Sequence, residues 1–253
     1  MDLQLKGRTA LVTGASAGIG AGIAECLGRE GVTVALAGRD RARLAGVAAR
    51  LRAVGGPEPV IVTGDVASEA GVADIAKAAL SGLGGRIDIL VNNAGGSRPL
   101  QGEETEAFWE EALELNFASA RRLTKHVVPT MRAQKYGRII NITGAMYGKV
   151  VNGAGPAKAA LLVWSRAKAF ELGPDGITVN CIAPGRINSI QILEKLHPTE
   201  ASRADYIKQN IPAGRFGEPV ELGALAAFLA SPLAAYISGA HIPVDGGGVR
   251  MAV

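Results

Sequence analysis

The chain has 253 residues, a length that suits one large α/β domain with a substantial core and is short for two domains. Hydrophobic residues make up 48% and charged residues 20%, proportions that exclude a disordered chain. The net charge is +4 and no run of five or more basic residues concentrates it, so we expect no nucleic-acid partner and no membrane partner.

The cysteines and the first residues indicate the compartment of the protein and whether it binds a metal. The two cysteines, Cys26 and Cys181, lie in apolar segments, and two cysteines make neither a disulfide framework nor a metal site. The first residues contain no apolar run of signal-peptide length, and no stretch approaches the roughly 18 apolar residues of a membrane span. These patterns predict a cytoplasmic protein without a bound metal.

Short apolar runs alternate with helical patterns along the chain. Strands are predicted at 10–12, 33–37, 60–62, 87–91, 138–142, 178–182 and 241–244, and helices at 19–30, 41–51, 70–81, 108–132, 157–172 and 220–230. This alternation is typical of a parallel sheet covered by helices on both faces. The prediction is a Rossmann-type, doubly wound, seven-stranded α/β fold whose ligand crevice lies beyond the carboxyl ends of the strands.

Residues 13–20, TGASAGIG, join the first predicted strand to the first predicted helix. Gly14, Gly18 and Gly20 allow backbone angles that a Cβ would forbid, and they let the main chain approach a ligand closely. The helix that follows directs free N–H groups and its positive dipole end at this turn. The arrangement favours a phosphate or a pyrophosphate.

One segment interrupts the alternation. Residues 188–217 are polar and contain Pro198 and Pro212, which favours an irregular segment before the last helix. An insertion at this place in a doubly wound fold covers the crevice, so we interpret it as a substrate lid. No linker divides the chain, and we expect a single domain over residues 1–253.

Several motifs together resemble the short-chain dehydrogenase/reductase family over the whole length, with the 3-oxoacyl-acyl-carrier-protein reductase type as the nearest subgroup. The matching motifs are TGASAGIG (13–20), GDV (64–66), NNAG (92–95), Asn116, KAAL (158–161), ITVN (177–180), PG (184–185) and VDGG (244–247). The resemblance implies a nicotinamide cofactor, hydride transfer between that cofactor and a small carbonyl or hydroxyl substrate, and a homodimer or homotetramer.

The resemblance also implies which residues hold the cofactor. The glycine turn would hold the pyrophosphate, Asp65 and Val66 the adenine, and the residues after the fourth strand the ribose. The end of the sixth strand would line the nicotinamide, and Lys158 would bind its ribose. The implied residues are Gly14, Ser16, Gly18, Ile19, Gly20, Asp65, Val66, Asn92, Ala94, Gly95, Lys158, Pro184, Gly185 and Ile187.

The residues after the second predicted strand bear on the choice between NADP(H) and NAD(H). Relatives that prefer NAD carry an acidic residue there, and this chain has Gly38 followed by Arg39. A guanidinium pairs well with a 2′-phosphate, so the sequence favours NADP(H) over NAD(H). Asp40 could instead contact the ribose, but capping of the following helix is the better interpretation of that residue.

The catalytic residues depart from the family pattern. Enzymes of that family use Asn, Ser, Tyr and Lys, and the Lys ammonium lowers the Tyr pKa from about 10. Asn116 and Lys158 match that pattern. The Tyr position, four residues before Lys158, is Ala154, and the Ser position is Gly144. The loop between them is about three residues shorter than usual for the family.

Two residues of the shortened loop carry hydroxyls. Tyr147 is the one tyrosine in this part of the sequence, and it either replaces the missing phenol or packs against the substrate or lid. The hydroxyl of Thr143 should turn away from the side that Gly144 faces, because side chains alternate along a strand.

Three functions remain open after this departure. The first, which we prefer, is an NADP(H)-dependent oxidoreductase whose proton relay runs through Lys158, Tyr147 or water. The second is a cofactor-binding sensor or partner subunit with little turnover. The third is a non-redox lyase or isomerase with Lys158 as base.

Two further features concern partners. The predicted helix 157–172 carries Leu161, Leu162, Trp164, Ala167 and Phe170, more apolar surface than one buried stripe needs, which predicts a two-fold helix-to-helix interface. Arg186, after Pro184 and Gly185, either meets an anionic substrate or is a solvated loop charge. Arg215 is expected to brace the lid or a neighbouring subunit.

Overall fold

The computed structural model describes residues 1–144, 146 and 150–248. It confirms the seven-stranded parallel sheet, in the order β3-β2-β1-β4-β5-β6-β7. The strands are β1 (Thr9–Thr13), β2 (Thr33–Gly38), β3 (Val60–Thr63), β4 (Ile89–Asn92), β5 (Gly137–Ile142), β6 (Ile177–Pro184) and β7 (His241–Val244). The helices are α1 (Gly18–Arg29), α2 (Arg41–Ala53), α3 (Glu69–Gly82), α4 (Glu106–Leu113), α5 (Ser119–Gln134), α6 (Ala154–Leu172), α7 (Glu200–Asn210) and α8 (Pro219–Ala230).

The chain reverses its direction across the sheet between β1 and β4. β1 pairs with β2 on one side and with β4 on the other, so that Ala10 is opposite both Val34 and Ile89. In a doubly wound sheet, the loops on the two sides of such a reversal part and open a crevice at the carboxyl ends of the strands. The glycine turn therefore begins at the opening of that crevice.

Helices bury both faces of the sheet in separate apolar layers. Alternate residues of one strand belong to different layers: Ala10 and Val12 face the layer of α1 and α8, and Leu11 faces the layer of α3 and α5. All three side chains are fully buried. Burial on both faces explains why the strands read as continuous apolar runs in the sequence. Within the described residues, no helix combines the length and apolarity needed to cross a membrane.

The single helix predicted over 108–132 was wrong. A π-helical turn, Glu114–Ala118, separates α4 from α5. Asn116 lies in this turn, and its side-chain Nδ2 donates to the carbonyl of Ala112 at 3.1 Å. The wider turn carries this buried polar side chain within an otherwise helical segment, a common feature of functional sites.

The irregular structure predicted for residues 188–217 was also wrong. The segment contains a π-helical turn, Gln191–Leu196, and then α7, which Thr199 caps by accepting from the N–H of Ser202 at 3.1 Å. Ile192, Ile211 and Phe216 form a small apolar cluster of their own. These apolar residues are sparse in a polar sequence, so their spacing did not stand out as a helical pattern.

Candidate functional site

The glycine turn between β1 and α1 has the close backbone packing that the sequence predicts. Gly14 and Gly18 have φ values of +62° and +55°, in the left-handed region that favours glycine. A Cβ at Gly14 would lie 2.8 Å from Asn93 Nδ2, and one at Gly20 would lie 2.5 Å from the same atom. Gly14 and Gly20 leave no room for a side chain, so the main chain itself lines the turn.

The start of α1 carries no side-chain cap. Its N-cap residue is Ala17, and no side chain accepts a hydrogen bond from the first N–H groups. These groups and the helix dipole therefore remain available to an anionic ligand at Gly18. Ser16 lies in the turn, and the side chain of Ile19 packs against the core. The turn thus fits the diphosphate of a dinucleotide.

A cavity of about 770 Å³ adjoins this helix start. It lies between α1, the beginning of α8 and the beginning of the 188–217 segment, and its lining includes Ser16, Gly18 and Ser189. Its volume is within the range of pockets for small molecules and cofactors. Lys158 and Asn116 do not line it.

Thr13 ties the glycine turn to the loop after β4. Its hydroxyl accepts from the main-chain N–H of Asn93 at 3.0 Å and of Ala94 at 3.1 Å. In return, Asn93 Nδ2 donates to the carbonyls of Thr13 at 2.9 Å and Gly14 at 3.2 Å. Thr13 was missed as a site residue, although its position at the strand end before the glycine turn could have indicated this role.

A chain of buried amides and a hydroxyl runs beneath the crevice. Asn92 Nδ2 donates to Asn141 Oδ1 at 2.8 Å, and Asn141 Nδ2 donates to Ser165 Oγ at 2.8 Å. We call Asn92, Asn141 and Ser165 the polar ladder; it joins β4, β5 and α6. Asn92 Oδ1 has no hydrogen-bond partner among the described residues. The side chain of Asn92 thus anchors the strand end, while Asn141 and Ser165 had not been identified from the sequence.

Asn116, Lys158 and Gly95 meet at the carboxyl end of β4. A Cβ at Gly95 would lie 2.8 Å from Asn116 Oδ1 and 3.0 Å from Lys158 Nζ. Asn116 Oδ1 accepts from the N–H of Gly96 at 3.0 Å. The two side chains predicted to be catalytic are therefore brought together on either side of this glycine.

Lys158 is a buried lysine without a carboxylate partner among the described residues. Its side chain lies in α6, the residue is 7% exposed, and Nζ donates to the carbonyl of Ile142 at 2.7 Å. Burial lowers the pKa of Lys158 to about 8. The amine can therefore hold or release a proton close to neutral pH.

The two positions that we predict to replace the family's Ser and Tyr hold a glycine and an alanine. Gly144 follows β5, and none of the described residues comes within 4 Å of the place where its Cβ would stand. Ala154 is the first residue of α6, and its N–H donates to Asn152 Oδ1 at 3.0 Å. Tyr147, the candidate replacement for the phenol, lies outside the described residues.

The hydroxyl of Thr143, directly after β5, makes hydrogen bonds away from the crevice. It donates to the carbonyl of Ile182 at 3.1 Å and lies 3.1 Å from His241 Nε2. Thr143 is 5% exposed, as expected if its side chain turns away from the crevice. His241 was not singled out from the sequence, and the structure places its ring beside the Thr143 hydroxyl.

The adenosine side of the crevice carries Arg39 and Asp65. The Arg39 side chain is 81% exposed, and its Nη1 lies 4.0 Å from Asp65 Oδ2. Asp40 caps α2 by accepting from the N–H of Arg43 at 3.0 Å, which confirms the capping interpretation. Val66 is buried against the apolar layer of α3, so its main chain is the part available to a ligand. Arg39 is free to turn toward a nucleotide.

The end of β6 is held tightly against the end of β7. Gly185 donates its N–H to the carbonyl of Val244 at 3.0 Å, and a Cβ there would lie 2.7 Å from Asp245 Cα. Ile187 is 2% exposed and belongs to the core, so only its main chain can line the crevice. Pro184 and Gly185 therefore form a rigid edge of the crevice.

The fold and the glycine turn define a Rossmann-type α/β protein, and a family model described as Enoyl-(Acyl carrier protein) reductase matches residues 14–248. The chain belongs to the short-chain dehydrogenase/reductase family.

Similar proteins include two bacterial reductases. The rhamnolipids biosynthesis 3-oxoacyl-[acyl-carrier-protein] reductase of Pseudomonas aeruginosa is 40% identical over 96% of this chain and 97% of its own length. The 3-oxoacyl-[acyl-carrier-protein] reductase FabG of Escherichia coli is 38% identical over 97% of this chain and 98% of its own length.

Solved structures of similar proteins include nucleotide complexes. L-sorbose reductase of Gluconobacter frateurii, complexed with NADPH and L-sorbose, matches with a TM-score of 0.93 at 33% identity, over 99% of this chain and 100% of its own. The RhlG/NADP complex of Pseudomonas aeruginosa matches with a TM-score of 0.88 at 38% identity, over 97% of this chain and 98% of its own.

Proposed function

We propose that this protein is an NADP(H)-dependent oxidoreductase that transfers hydride between nicotinamide and a carbonyl or hydroxyl compound through an altered proton relay. One observation carries the proposal: the uncapped start of α1 follows β1, and the Asn116–Lys158 pair meets beside Gly95 in the loop that follows β4, at the same edge of the sheet. A dinucleotide with its diphosphate on the helix start extends along that edge.

The cofactor is NADP(H). Family membership, the NADPH and NADP complexes of two similar structures, and an exposed arginine directly after β2 support this choice. The main chain of Gly14, Gly18 and Gly20 would hold the diphosphate, and the Arg39 guanidinium would pair with the 2′-phosphate. Bound NADPH supplies the hydride, and the protein supplies the binding, the orientation and the proton.

Lys158 exchanges the proton with the substrate oxygen, directly or through a water molecule or Tyr147. Its buried amine with a pKa of about 8 supports this role, since an effective general acid titrates near the working pH. Asn116 Oδ1, which accepts from the Gly96 N–H, orients the neighbouring Lys158 side chain and Gly95. A positioned general acid contributes about 10²–10⁴-fold to a rate, so replacing the usual Ser and Tyr by Gly144 and Ala154 slows the reaction without removing hydride transfer.

The substrate is a 3-oxoacyl thioester or a small ketone. The similar 3-oxoacyl-[acyl-carrier-protein] reductase supports the first class, and the similar L-sorbose reductase supports the second. Residues 188–217 form the lid over it, because Ala213 donates to the Gly246 carbonyl at 3.0 Å beyond β7, and Ser189 Cβ lies 3.1 Å from the place a Cβ at Gly18 would take. The segment thus reaches from the end of β7 to the glycine turn.

One experiment separates this function from the two alternatives. Purified protein is titrated with NADPH and NADH, and the loss of NADPH absorbance is then followed with a panel of ketones and 3-oxoacyl thioesters. Turnover with any substrate supports the proposal. Tight NADPH binding without turnover supports the sensor or partner subunit, and a product formed without any change in absorbance supports a lyase or isomerase.

A further inference from the structure

Arg186 follows the rigid end of β6 at the edge of the crevice. Its carbonyl accepts from the Gly217 N–H at 2.9 Å, and the N–H of Asn188 donates to the Gly217 carbonyl at 2.8 Å. These bonds fasten the main chain of Arg186 to the last residues of the 188–217 segment. The residue therefore lies where that segment joins the carboxyl edge of the sheet.

Aromatic rings of the 188–217 segment orient the side chain of Arg186. Its Nε donates to His197 Nε2 at 3.3 Å, and its guanidinium carbon lies 4.9 Å from the centre of the Tyr206 ring. His197 packs against Tyr206 and Phe216, with ring centres 4.5 and 5.6 Å away. Burial, and then the charges of Arg186 and Arg203, lower the pKa of His197, which keeps the ring neutral as an acceptor.

The guanidinium of Arg186 has no anionic partner in the described part of the chain. No carboxylate of a described residue lies within 4.0 Å of it, whereas Arg215, near the end of the 188–217 segment, pairs with Glu221 at 2.7 Å. Its two Nη groups make no hydrogen bond to any described residue, although the residue is half-buried. Two N–H pairs in a planar fork are thus left for a ligand, and such a fork matches a carboxylate or a phosphate.

We propose that Arg186 binds an anionic group of the substrate, of carboxylate or phosphate type, so that the substrate carries both a carbonyl or hydroxyl group and an anion. This inference rests on the proposed function for the reacting group. The rings of His197 and Tyr206 hold the fork in place before the ligand arrives, which reduces the entropy lost on binding. Arg186 is then the residue that selects anionic over neutral substrates.

Binding without turnover tests the proposal. The full chain saturated with NADP⁺ is titrated calorimetrically with acetoacetate, with its neutral methyl ester, and with inorganic phosphate. We expect the wild-type protein to bind acetoacetate or phosphate at least about tenfold more tightly than the ester, a difference of about 1.4 kcal/mol. A preference for acetoacetate over phosphate assigns a carboxylate, and the reverse assigns a phosphate.

Two variants complete the test. Arg186→Gln should abolish the preference for the anion. Arg203→Gln removes the same charge from the adjoining 188–217 segment, where Arg203 Nε donates to the Thr199 carbonyl at 3.2 Å, and should keep the preference. Equal binding of anions and ester by the wild-type protein, failure of every anion to bind, or an unchanged preference in Arg186→Gln would overturn the proposal. Since no step depends on turnover, these results are independent of the redox assay.

Discussion

Among single residues, Lys158 gives the most direct link between burial and chemistry. Its pKa of about 8 arises mainly from desolvation, because no carboxylate among the described residues compensates the charge. Lysine carries its proton below its pKa. If Lys158 donates the proton in carbonyl reduction, kcat should fall as pH rises through about 8, and the reverse oxidation should become faster over the same range.

The pH profile of two lysine variants checks this prediction. Lys158→Met should remove the inflection near pH 8 and lower kcat by about 10²-fold or more. Lys168→Met is the matched control on the same helix, because Lys168 pairs with Glu171 at 2.6 Å outside the site. An inflection that persists in Lys158→Met would assign the proton to another group.

We expect Arg39 to determine the preference for NADP(H). Arg39→Ala should weaken NADPH binding by about tenfold or more and leave NADH binding nearly unchanged, because only NADPH carries the 2′-phosphate. Arg41→Ala, an exposed change two residues later, controls for the loss of a positive charge near α2. Fluorescence titration gives both constants, and equal weakening of the two nucleotides would contradict the assignment.

At the level of elements, the polar ladder joins two strands and a helix beneath the site. Asn141→Ala removes the acceptor for Asn92 Nδ2 and the donor to Ser165 Oγ. A buried polar group left without a partner costs about 1–3 kcal/mol. Asn92 Nδ2 keeps only the long bond to Thr124 Oγ1 at 3.4 Å, and Ser165 Oγ still donates to the Leu161 carbonyl, so denaturant unfolding should show a loss of about 1–3 kcal/mol. Asn210→Ala, which removes an exposed bond to the Tyr206 carbonyl, should cost less than about 1 kcal/mol.

The sequence predicts the strands and the glycine turn, but it does not predict the contacts of the polar ladder. Apolar runs and helical spacing located all seven strands, because burial on both faces imposes a continuous apolar pattern. The glycine turn was recognisable because Gly14 and Gly20 leave no room for a side chain. The contacts of Asn141 with Asn92 and Ser165 join residues 49 and 24 positions apart, and no local pattern reports such a pairing.

The helix register shows a similar limit. A straight helix was predicted over 108–132 because the apolar spacing continues through it, whereas a π-helical turn carries Asn116 inward. Likewise, the sequence alone predicts a departure from the family pattern at Gly144 and Ala154, while the space around these two residues depends on distant residues.

For the whole molecule, the outer surface of α6 favours assembly. Leu161 faces the core at 1% exposure, so its predicted place on that surface was wrong. Val163 is 68% exposed and Phe170 89% exposed, and with Ala167 they form a strip at helical spacing. Trp164 is half-buried against Phe117, with ring centres 6.3 Å apart. Exposed apolar side chains in one strip are typical of an interface.

We propose that a second copy of this chain covers the strip through a two-fold contact, in which α6 packs against its own counterpart. Phe170→Asp places two like charges near the axis of such a contact and should convert the protein to monomers at micromolar concentration. Phe170→Leu keeps the surface apolar and should leave the assembly intact. Sedimentation velocity distinguishes the two variants. A wild-type protein that sediments as a monomer, or a Phe170→Asp variant as large as the wild type, would place the contact elsewhere or remove it.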